Sequence, residues 1–150
     1  MRVVIGNDHA GIALVEVITP VLDELGVEWE HVGTFTSDSV DYPDYGQMVA
    51  DQVAAGKYDR GILICGTGIG MSIVANKVPG IRAALCSEPY SAALSRLHND
   101  ANVLCLGARV IGPGLAEEIV KVWMTTEFAG ERHSRRVSKI NALDAPRSTK

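Results

Sequence analysis

Gly61-Ile-Leu-Ile-Cys-Gly-Thr-Gly-Ile-Gly70 passes from an aliphatic run, through one cysteine, into three glycines at alternate positions. The run is short and apolar throughout, as in a strand covered on both faces. The glycines permit a tight turn, and the residues after Gly70 have helical periodicity. The segment therefore reads as strand, turn, helix. Working outward, the same alternation recurs: RVVIG and NVLCL are further continuous apolar runs, separated by longer segments of helical pattern. Strands are expected at 2–6, 27–32, 61–64, 81–86 and 103–106, and helices at 11–25, 45–55, 70–76, 90–98, 115–128 and 131–142. Gly26 and Gly56 stand just past the first two helices, where a left-handed cap is needed. The pattern predicts an α/β fold, a Rossmann-like doubly wound sheet of about five parallel strands with helices on both faces.

The 150 residues suffice for one core, and no internal linker divides them, so a single domain over 1–150 is expected, with a flexible tail at 144–150. A formal charge of −4 gives no general reason to expect nucleic acid as a partner. No apolar run reaches the length of a membrane span, and the start carries too few aliphatics for a signal peptide, so a cytoplasmic protein without membrane association is expected. Cys65, Cys86 and Cys105 are odd in number and lie in separate apolar segments, with no spacing that suggests disulfides or zinc.

Ligands of open α/β sheets sit beyond the carboxyl ends of the strands. There the chain places Asp8 and His9 after the first strand and Cys65-Gly66-Thr67-Gly68-Ile69-Gly70 after the third. The glycine loop reads either as an anion cradle of main-chain N–H groups or as a tight turn with glycines for packing. It is not GxGxxG, and it follows the wrong strand for a dinucleotide. Cys65 is either a nucleophile or base, since a following helix amino terminus favours thiolate, or a small core residue. Cys86 and Cys105 read as packing, and His31 as surface. Two pairs, Asp8 with His9 and His98 with Asn99, combine an ionisable group with a hydrogen-bonding one; each fits proton exchange or a helix cap, and their expected common location favours the former. Arg132 and Arg136 share a helix face that could grip a phosphate or be a solvated basic stripe. Arg135 points elsewhere.

These residues, with DHAG at 8–11, DYPD at 41–44, GILICGTGIGMSIVANKVPGIRAALCSEPYSA at 61–92, SRLHNDANVLCLGARVIG at 95–112 and RHSRRV at 132–137, make the sequence resemble the B-type ribose-5-phosphate isomerases. That family includes galactose-6-phosphate and allose-6-phosphate isomerases. The resemblance implies an aldose–ketose isomerase with no metal and no cofactor, acting on a phosphorylated sugar through a cis-enediolate. It implies Cys65 as general base, Gly66, Gly68, Ile69 and Gly70 as N–H donors to the enediolate, Thr67 as proton shuttle and His98 as ring opener. Asp8 and Asn99 would hold hydroxyls, Tyr42 would line the pocket, and His9, Arg109, Arg132 and Arg136 would bind substrate, mostly at its phosphate. It also implies a homodimer, or a dimer of such dimers, with the C-terminal helix reaching a partner subunit. Position 65 places the chain in the branch that uses cysteine in place of a glutamate. Glu131 departs from relatives, which often carry a second glycine there, and sets a negative charge beside the proposed phosphate grip. The complete motif set favours ribose 5-phosphate over a hexose 6-phosphate, and the presence of both Cys65 and His98 disfavours a non-catalytic sugar-phosphate sensor.

Overall fold

The computed structural model of the chain describes residues 1–145. Five strands, β1 (Arg2–Asn7), β2 (Glu28–His31), β3 (Arg60–Cys65), β4 (Ala83–Leu85) and β5 (Val103–Gly107), form one all-parallel sheet in the order β2-β1-β3-β5-β4. Six helices accompany them: α1 (Ile12–Glu24), α2 (Tyr42–Ala54), α3 (Ile69–Ala75), α4 (Pro89–Asn99), α5 (Pro113–Thr125) and α6 (Glu131–Asn141). Side chains alternate along each central strand. Val3, Ile5, Ile62, Ile64, Leu104 and Leu106 pack with α1, α4 and α5, whereas Val4, Leu63, Cys65, Val103 and Cys105 pack with α2 and α3. Helices thus cover both faces, which explains why these strands read as unbroken apolar runs. Reversal of strand order about β1 and β3 opens a crevice at their carboxyl ends, where an open α/β sheet places its ligand.

Several boundaries differ from expectation. Helix α2 begins three residues early, because Pro43 occupies its first turn, where a missing N–H costs nothing. Strand β4 shrinks to three residues, since Ile81 closes a turn by donating its N–H to the Val78 carbonyl. Gly26 and Gly56 adopt φ of +66° and +72°, the left-handed conformation their positions called for. Asp144, expected to begin a loose tail, ends a 3-10 turn and accepts the Gly80 N–H at 2.7 Å. The rest of that tail, from 146 onward, lies outside the described residues. Among the described residues no helix is long and apolar enough to cross a membrane.

Candidate active site

Cys65 is the last residue of β3 and sits opposite Gly107 of β5. Just beyond, the loop of residues 66–68 folds back across the end of β5 so closely that a Cβ on Gly107 would lie 2.7 Å from the Thr67 carbonyl oxygen. Gly68 has φ of +76°, and a Cβ there would meet Leu85 Cδ1 at 2.5 Å and the Leu106 carbonyl carbon at 2.9 Å, so only glycine fits. This conformation turns the Gly68 N–H onto Cys65 Sγ at 3.2 Å. The Ile69 N–H is donated to Thr67 Oγ1 at 3.3 Å. Two of the expected enediolate donors are therefore directed at the loop's own side chains.

The loop opens on a cleft of about 400 Å³ lined by Asp8, Tyr42, Cys65, Gly66, Thr67 and Gly70. Tyr42 covers Gly70, where a Cβ would fall 2.6 Å from its ring. Arg109 donates its backbone N–H to the Gly66 carbonyl at 2.9 Å, and its guanidinium reaches to within 3.5 Å of where a Gly66 Cβ would stand. Asp8 is buried and accepts the Ala10 N–H at 2.9 Å on Oδ1, which orients its carboxylate. His9 accepts the Val40 N–H on Nδ1 at 3.2 Å, so the neutral ring carries its proton on Nε2. The other thiols are chemically muted. Burial pushes Cys86 up to about 11, and burial in the sheet centre pushes Cys105 higher still, in agreement with packing roles.

His31, expected on the surface, is half-buried at the end of β2, where burial lowers its pKa. Its Nε2 pairs with Asn7 Oδ1, while Asn7 Nδ2 donates to the carbonyls of Asp8 at 2.9 Å and Thr34 at 3.1 Å. Both Asn7 amide protons face carbonyls, so its oxygen faces the histidine and His31 is the donor. This buried chain braces the backbone of Asp8. Period-2 alternation hid it, because β2 is an edge strand whose end is overlaid by the segment after it.

His98, Asn99, Arg132 and Arg136 are not brought to this cleft within the chain, contrary to the expected common location of the Asp8–His9 and His98–Asn99 pairs. Helix α4 runs antiparallel to the strands and ends beside Asn102, whose carbonyl accepts the Gly61 N–H at the start of β3. His98 and Asn99 thus lie at the amino edge of the sheet. The loop before α6 joins them there, with the Ala129 N–H donated to the Leu97 carbonyl at 3.0 Å. Of α6 only His133 and Val137 are buried, and Arg132, Arg135 and Arg136 are exposed. His133, absent from the sequence-derived set, stacks on His98 with ring centroids 4.2 Å apart and planes 9° apart. Burial lowers its pKa, as do His98, Arg132 and Arg136 beside it, against an opposing effect of Glu131. The signal available beforehand was the spacing of His133 and Val137, four apart in an otherwise charged helix.

Residues 3–140 match the family described as Ribose/Galactose Isomerase. Ribose-5-phosphate isomerase B of Escherichia coli is 51% identical over 147 residues, covering 98% of this chain and 99% of the relative. The solved structure of ribose-5-phosphate isomerase B from Clostridium thermocellum superposes with a TM-score of 0.93 at 53% identity, covering 96% of this chain and 97% of that one. That of the Mycoplasma genitalium protein with bound ribulose-5-phosphate does so with a TM-score of 0.91 at 39% identity, covering 95% of each chain.

Proposed function

The chain belongs to the ribose/galactose isomerase family, and from that premise we propose that it is a sugar-phosphate isomerase interconverting D-ribose 5-phosphate and D-ribulose 5-phosphate in the cytoplasm, as one domain over 1–150. The observation that carries the reading is Cys65, its sulfur held by the Gly68 N–H at 3.2 Å on a cleft shared with Asp8 and Thr67. In this reading Cys65 takes the proton from C2 of the open-chain aldose, a cis-enediolate forms, and the proton returns to C1. Thr67 passes the O2 proton to O1, so the substrate is isomerised with no net gain or loss. Loop N–H groups stabilise the charge that develops on the enediolate oxygen. Asp8 and Tyr42 hold the sugar, and Arg109 and His9 add donors at the cleft edge.

A furanose must first be opened: a proton leaves the anomeric hydroxyl, the bond from C1 to the ring oxygen breaks, and the ring oxygen gains a proton. His98 supplies this exchange, Asn99 holds a hydroxyl, and Arg132 and Arg136 bind the phosphate. Since these four lie at the far edge of the sheet, they act on the cleft of a second copy in a homodimer, with α6 reaching the partner. Turnover of ribose 5-phosphate by the purified protein tests the reading, with Cys65→Ala expected to lower it by at least about 10²-fold while substrate still binds. Near-normal turnover in Cys65→Ala would refute the base. A larger kcat/KM for allose 6-phosphate than for ribose 5-phosphate would transfer the assignment to a hexose.

A further inference from the structure

The face-to-face contact of His98 with His133 is imposed by the scaffold. At one end the Ala129 N–H bonds the Leu97 carbonyl at 3.0 Å and the His133 N–H bonds the Gly130 carbonyl at 2.9 Å, seating the first turn of α6 against α4. At the other end Arg82 bridges the two helices, donating to the Asn99 carbonyl at 3.0 Å, the Asp100 carbonyl at 2.8 Å and Asn141 Oδ1 at 3.0 Å. Between these clamps α6 turns only His133 and Val137 inward. A helix needing only to seat itself would use two aliphatic residues, since an imidazole in a buried position loses hydration. His133 is 7% exposed and lies parallel to His98 at 4.2 Å.

We propose that His133 is a positioning residue for the ring-opening step: its flat face fixes the plane of the His98 imidazole. The inference rests on the ring-opening role assigned to His98 above. Two parallel imidazoles this close do not both charge at modest cost. The charged groups acting on His133 are His98 from α4 and Arg132, Arg136 and Glu131 from its own helix, with the cations in the majority. Burial and these cations favour the neutral form of His133, so it presents a flat, uncharged face to His98. A positioned acid gains its rate from a held orientation, and a ring free to rotate about χ1 and χ2 loses it.

Two rates separate this role from simple packing. Ribulose 5-phosphate has no phosphate-free hydroxyl with which to close a furanose, so deuterium exchange from solvent into its C1 needs Cys65 but no ring opening. His133→Ala is expected to lower kcat for ribose 5-phosphate by about tenfold or more, with C1 exchange kept within about threefold. His133→Phe, which restores a flat face, should recover most of the loss. Equal losses in both rates, or no loss, would overturn the proposal. His98→Ala measured alongside distinguishes the failures: full ribose turnover there defeats the ring-opening role itself, whereas loss there without loss in His133→Ala defeats only the positioning. The unsubstituted protein supplies a test independent of how the variants fold. The His133 ring resonances should titrate below the range of a free imidazole, and an ordinary midpoint would overturn its buried placement against His98.

Discussion

If the cleft is completed by a second copy, two inactive variants should restore one another. The five residues of β5, at about 3.3 Å each, set about 16 Å between the two edges of the sheet. A general acid must come within about 3 Å of its oxygen, so Cys65 and His98 of one chain cannot serve one pentose. Cys65→Ala and Arg136→Ala subunits should each be nearly dead alone. In a mixed two-fold dimer one cleft would carry both substitutions and the other neither. Coexpression with two different tags and tandem purification should yield mixed dimers with about half of wild-type activity per dimer, and an unsorted one-to-one population should show about one quarter. Coexpression is required because an obligate interface does not readily exchange subunits. The assay is ketose formation from ribose 5-phosphate at saturation. Mixed dimers verified by both tags but without recovered turnover would show that Cys65 and Arg136 do not complete one cleft across the interface.

His98→Ala should lower kcat for ribose 5-phosphate by about 10²-fold or more while deuterium exchange into C1 of ribulose 5-phosphate falls less than tenfold, and equal losses would contradict ring opening. Gly68→Ala, forced to φ of +76° and into the Leu106 backbone, should cost about 2–4 kcal/mol in chemical denaturation and dislodge the N–H from Cys65; a neutral effect would refute the strained-loop account. Glu131 adopts φ of +46°, so Glu131→Gly should stabilise by about 0.5–1 kcal/mol and raise Tm by about 1–4 °C in a thermal melt, whereas a lower Tm would count against strain there. Cys86, raised to about 11, and Cys105, raised further, stay protonated in the folded chain after an unfolded thiol near 8.5 has ionised. Stability should therefore decline as pH rises from about 8.5 through 11. Denaturation midpoints that do not fall between pH 8 and pH 10 would refute the burial of these thiols.

The sheet was legible in the chain because a strand covered on both faces has to be apolar throughout, and RVVIG, GILIC and NVLCL meet that demand locally. The near half of the site was legible for a related reason. Cys65 and its glycine loop are contiguous, and the conformations that aim Gly68 at the sulfur belong to a few adjacent residues. Three features depended on tertiary structure. His31 alternates outward on a short strand, yet the Asn7 amide and Phe35, from other segments, cover it. Glu131 shows no strain in the sequence itself, since its positive φ comes from how the loop joins α5 to α6. The proposed far half of the site depends on the direction of α4: a helix following a parallel strand must run back along the sheet, which carries His98 and Asn99 a full strand length from Cys65 and stacks His98 on His133. A linear pattern records which residue types occur and at what spacing, whereas the edge of the sheet that a side chain reaches, and the chain it then faces, depend on packing between segments distant in sequence.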